Sequence, residues 1–96
     1  MDKQEAQKIL DAQARRFGQM AFRELVALIK SPAIERVQGE TGTVYQIEVQ
    51  AFWDHPRRPG ENLRVLISID DGGLLSSLFP LSIDFIMAPD GSLVGE

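Results

Sequence analysis

The chain predicts an α+β fold: one long N-terminal helix packed on a four- or five-stranded antiparallel meander sheet. Three runs in its second half alternate apolar and polar residues, namely Tyr45, Ile47, Val49, Ala51 and Trp53; Leu63, Val65, Ile67 and Ile69; and Leu81, Ile83, Phe85 and Met87. A period of two sends successive side chains to opposite faces of a sheet, so each run has one apolar face. The segment before them spaces its apolar residues by three and four instead, which is the stripe of a helix. It is the only segment available to cover the sheet.

Residues 2–30 read as that helix. Asp2 and Glu5 have the spacing of a capping box, in which the first side chain accepts from the third helical amide and the glutamate reaches back. Ala6, Ile9, Leu10, Ala14, Phe17, Ala21, Leu25 and Leu28 form the stripe, and Val26 and Ile29 widen it. Ser31, which precedes Pro32, is pushed out of the α region and ends the helix. Gly18 interrupts the pattern at roughly 1 kcal/mol relative to alanine. An unbroken helix of this length measures about 43 Å, whereas four strands span only about 15–20 Å. It must therefore run along the strands, overhang them, or bend at Gly18. The half from 19 to 30 carries more large apolar groups and is expected to be the packed part.

A short strand at 33–38 follows, then a glycine turn at 39–42 and a long strand at 43–53. Residues 54–61 contain Pro56 and Pro59 and read as a loop, because proline does not sit in a central strand. Further strands are expected at 62–70 and 81–88, and residues 92–95 can return as a brief edge strand after the Pro89-Asp90-Gly91 turn. Closing the 54–61 loop sets Trp53 opposite Leu63, Ala51 opposite Val65 and Val49 opposite Ile67. The last strand is then expected to place Ile83 beside Ile69 and Phe85 beside Ile67, with Leu66 beside Ile86 on the other face.

The 96 residues suit a single domain, 1–96, with 44% hydrophobic and 25% charged residues, an ordinary soluble composition. No cysteine is present, which excludes disulfides, thiolate metal sites and a cysteine nucleophile. His55 is the sole histidine. A net charge of −4 argues against a nucleic-acid partner, since phosphate binding needs a basic face. The polar start of the chain has no apolar core behind it and no stretch is long enough for a membrane span, so a cytoplasmic protein without membrane attachment is expected.

Three places carry candidate contacts. The solvent-facing parity holds Val44, Phe52, Leu66 and Ile86 among polar residues, and a contiguous apolar patch of Phe52, Leu66 and Ile86 would mark an interface. The plainer alternative is that Arg64 covers Phe52 with its stem and a cation–π contact. The connection at 71–80 is unusually apolar, so Leu75, Leu78 and Phe79 are candidate partner contacts, unless they tuck under the helix end. Arg57 and Arg58, on a segment with Pro-x-x-Pro spacing, could offer a weaker contact to an anion or a proline-reading groove. Asp70, Asp71 and Asp84 could meet at a strand end, but they lack the spacing of a calcium loop. No serine sits in a nucleophile elbow. No catalytic constellation, metal site or cofactor site is expected. The function expected is a non-enzymatic protein-interaction module or homodimer acting through the sheet face and the apolar loop. The alternative is a small-molecule carrier or minor enzyme with a groove between helix and sheet, lined by Tyr45, Trp53 and Met87.

Overall fold

Period-two alternation becomes a four-stranded antiparallel meander in the computed structural model, which describes residues 1–74, 78 and 80–95. The strands are β1 (Ala33–Gln38), β2 (Val44–Trp53), β3 (Leu63–Asp70) and β4 (Leu81–Met87), paired in chain order. Trp53 faces Leu63, Ala51 faces Val65 and Val49 faces Ile67, the register expected from closing the 54–61 loop. β4 differs: Leu81, Ile83 and Phe85 face Ile69, Ile67 and Val65, two residues away from the expected pairing. A slip of two keeps every side chain on its own face, so burial alone cannot distinguish the two registers. After β4, the turn at 89–91 folds the chain back. Met87 bridges Leu93, Ala88 N–H donates to Ser92 O at 2.8 Å, and Val94 N–H donates to Ile86 O at 2.8 Å.

The helical cover is broken in two. α1 (Lys3–Gly18) ends where Gln19 N–H turns back to Arg16 O and Phe17 O. Ala21 is then extended, with ψ 146°, and α2 (Phe22–Val26) begins, followed by a 3-10 turn at Ala27–Ile29. Glu24 reaches back to accept from Ala21 N–H at 3.0 Å. The break at Gly18 resolves the length conflict: α1 is about 24 Å long and fits over the strands.

The division of labour is the reverse of the one expected. α1 lies against β3 and β4, while α2 and the 3-10 turn lie against β2. α1 buries Ala6, Leu10 and Phe17, whereas Leu25 is the fully buried residue of the second half. Covering a sheet depends on helix length and close approach more than on the number of large side chains. Small Ala6 lets α1 sit close to the sheet, and Ile67, Ile69 and Val65 fill the space from below. The odd-numbered residues 45–51, 63–69 and Met87 complete a single core with these helical groups. Among the described residues, no helix is long and apolar enough to cross a membrane.

One long-range contact ties the layers together. Asp2 caps α1 by accepting from Glu5 N–H at 3.1 Å, as expected. Glu5 does not complete the box. Its carboxylate crosses to the β1–β2 turn and accepts from Thr41 N–H at 3.1 Å, Thr41 Oγ1 at 2.8 Å and Tyr45 OH at 2.8 Å. These donors hold the Glu5 carboxyl below the usual glutamate range, Thr41 Oγ1 first and then the Tyr45 phenol. Burial, reinforced by the adjacent Glu5 carboxylate, pushes the Tyr45 phenol up to about 12. The turn admits the carboxylate because residue 39 is glycine: a Cβ there would stand 2.4 Å from Glu5 Oε1.

Candidate protein-binding surface

With helices on one side only, the even-numbered side chains form an open face. Its cross-strand rows follow from the pairing: Gln50, Leu66 and Asp84 lie in one, and Phe52, Arg64 and Ile86 in the next. Leu66 is therefore not beside Ile86, as expected, but diagonal to both Ile86 and Phe52, because of the two-residue slip of β4. Diagonal neighbours stand about 7–8 Å apart, still within side-chain reach. Phe52 is 43% exposed, while Leu66 and Ile86 are half-buried. The return after β4 adds Val94, also 43% exposed, which bonds to Ile86 and extends the same row.

Arg64 stands at the centre of this group. Its guanidinium donates to Asp54 Oδ1 from Nη2 at 2.8 Å and from Nε at 3.0 Å, and to Asp84 Oδ2 from Nη1. Asp54, and then Asp84, hold its pKa above the ordinary arginine value. The guanidinium is thus clamped between two carboxylates from the β2 end and β4, with apolar groups on either side of it.

Two apolar residues of the face escaped the sequence reading. Val94 follows from continuing the alternation through the turn, and Ile34 from applying the same parity to β1. Ile34 is 62% exposed at the β1 edge, opposite Glu48 and away from the Phe52 row.

In the apolar connection, Leu74 is 77% and Leu78 is 62% exposed, so Leu78 is not tucked under the helix end. Leu75 and Phe79 lie outside the described residues. The carboxylates nearby are engaged separately. Asp70 accepts from Gly72 N–H at 2.9 Å, Asp71 lies 3.5 Å from the Met1 ammonium, and Asp84 serves Arg64. Among the described residues, no three metal-ligating side chains converge.

The Arg57 and Arg58 segment is a bonded turn and not an extended prong. Arg58 N–H donates to His55 O at 2.8 Å and Arg57 N–H to His55 Nδ1 at 3.3 Å. Arg58 faces Glu61 across 3.9 Å. A turn closed in this way departs from the open polyproline geometry that Pro-x-x-Pro readers require. The side chains expected to line a groove under the helix are packed instead: Tyr45 and Met87 are fully buried, and Trp53 lies against Phe22 with ring centroids 6.3 Å apart. A shallow cleft of about 340 Å³ opens elsewhere, between the end of α1 and β4, over Ile83, Phe85 and Leu93.

No protein-family model, curated protein or solved structure matches the chain. The functional reading therefore rests on its own surface chemistry.

Proposed function

We propose that this protein is a non-enzymatic interaction module that binds another protein through the open face of its sheet. The observation that carries the reading is the apolar group around a clamped Arg64, with Phe52 and Val94 exposed and Leu66 and Ile86 half-buried. Aromatic side chains and arginine are the residues that dominate binding energy at interface centres, and a polar rim commonly surrounds them. Gln46, Glu48, Gln50 and Ser68 supply such a rim. Because Asp54 and Asp84 hold Arg64 in place, little of its side-chain freedom remains to be lost on binding.

Size refines the proposal. Four strands at about 4.8 Å and seven residues at about 3.4 Å give a face of roughly 450 Å². A standard interface buries about 800 Å² per partner. A stable partner must therefore reach past the strands, and the β3–β4 connection, which carries the exposed Leu74 and Leu78, leaves the sheet at the end away from Phe52. The test is differential capture on immobilised wild-type, Leu66→Glu and Phe52→Gln proteins, quantified by mass spectrometry after circular dichroism has shown all three folded. Proteins enriched on the wild type and lost on both variants support the reading. An unchanged set on both variants removes it.

A further inference from the structure

We propose that the free edge of β4 is a homodimer interface, at which two copies pair antiparallel about a two-fold axis through Ile83. This surface is distinct from the open face and does not depend on that face binding anything.

The bond from Val94 N–H to Ile86 O shows that the backbone groups of Ile86 point away from β3. Antiparallel strands alternate this direction, so those of Ser82 and Asp84 point outward as well. The return strand takes up Ile86 and Ala88, and Gly95 at φ +86° then leaves the extended region. Among the described residues, the outward backbone groups of Ser82 and Asp84 have no backbone partner, which leaves a hydrogen-bonding edge open there. The inner-facing residues beside it, Leu81, Ile83 and Phe85, are only half-buried.

A second copy fits this edge in one register. With Ile83 opposite the partner's Ile83, Ser82 stands opposite the partner's Asp84 and Leu81 opposite the partner's Phe85. Two hydrogen-bonded pairs of this kind exchange about four backbone bonds. The Ser82 hydroxyl can donate to the facing carboxylate, and the half-covered apolar residues meet each other on the inner side. Shifting one way sets Asp84 against Asp84; shifting the other way brings in Pro80, which has no N–H. Edge β1 is less suited to pairing with itself. Its outward residues are Ile34, Arg36 and Gln38: the fullest register opposes Arg36 to Arg36, one neighbouring register opposes Glu35 to Glu35, and the other, about Val37, opposes Arg36 to Gln38 with no carboxylate to meet it. Like charges directly opposite each other destabilise a strand pair.

Sedimentation equilibrium from micromolar to millimolar protein tests the proposal, with Ser82→Pro as the disrupting variant. Proline is tolerated on an edge strand whose N–H faces solvent, so this variant keeps its fold and loses the interchain donor. The wild-type mass should rise from 10.7 kDa toward twice that value while Ser82→Pro stays monomeric. The chain has no cysteine, so single substitutions report the register. Residues opposed at a non-hydrogen-bonded position stand about 4.5 Å apart, within disulfide range. Ile83→Cys should therefore form a disulfide-linked dimer in a glutathione buffer at least several-fold faster than Ile34→Cys on the other edge. A wild type that stays monomeric at the highest concentration overturns the inference, as do equal cross-linking rates at the two positions. Leu66→Glu separates the two proposals: it should abolish open-face binding and leave the dimer mass unchanged. Loss of the dimer in that variant would move self-association to the open face and overturn the edge assignment.

Discussion

Replacing Gly39 with alanine should destabilise the protein through a hydroxyl buried next to the site, and not through backbone strain. Gly39 has no positive φ, so alanine adopts its conformation freely. Fewer unfolded conformations would then favour the variant by about 0.4–1 kcal/mol. Against this, the new Cβ would stand 2.4 Å from Glu5 Oε1 and displace the carboxylate. Tyr45 is fully buried, and its hydroxyl loses the acceptor now 2.8 Å away. An unsatisfied buried hydroxyl costs about 1–3 kcal/mol. The net expectation is a loss of roughly 0–2.5 kcal/mol, with the low end reached if water follows the carboxylate out. At about 4–8 °C per kcal/mol for a domain near this size, thermal denaturation followed by circular dichroism resolves most of that range. The decisive comparison repeats the substitution in a Tyr45→Phe background, where no hydroxyl remains to be stranded. There Gly39→Ala should be neutral or stabilising. An equal loss in both backgrounds refutes the coupling between Gly39, Glu5 and Tyr45.

The same cluster governs behaviour at both ends of the pH scale. Tyr45 is the only tyrosine, so its ionisation can be followed directly by ultraviolet absorbance. Its pKa is raised to about 12, so its contribution is complete below pH 10 and lost as pH rises from about 10 to about 12. Phenolate absorbance should appear with alkaline unfolding or near pH 12; a transition at pH 10 in the folded protein contradicts the assignment. Glu5 has the opposite sign: its lowered pKa gives stability present above the ordinary glutamate value and lost as pH falls through the lowered one. Stability between pH 5 and 2 should therefore fall less steeply in Glu5→Gln than in the wild type, as read by urea denaturation. Leu10 on α1 is fully buried against the sheet, so Leu10→Ala should cost about 2–5 kcal/mol by urea denaturation, a loss expected only if α1 is the main cover of the sheet.

Much of the fold was legible because β-periodicity is unambiguous over long runs. From Tyr45 to Trp53 and from Leu63 to Ile69 the parity alone gave the inner face, and the short 54–61 loop gave their mutual register. β4 is reached through a longer connection, and a slip of two residues is invisible to parity. That slip replaced a Leu66–Ile86 neighbour pair with a row centred on Arg64. Gly18 correctly marked where the helix could not continue. Large apolar residues are denser in 19–30, yet Ala6 and Leu10 on the longer α1 cover more of the sheet. Glu5 stands at capping-box spacing from Asp2, but its partners are 36 and 40 residues away, and no local pattern encodes that reach. Leu75 and Phe79, expected as contacts, lie outside the described residues.

Oxidative footprinting of the protein alone and bound to a captured partner tests the central proposal most directly. Phe52, Leu66 and Ile86 should react with hydroxyl radicals in the free protein, Phe52 fastest, and become protected together in the complex. Continued reactivity of all three, with protection appearing only on the outer surface of the helices, would contradict a sheet face that binds.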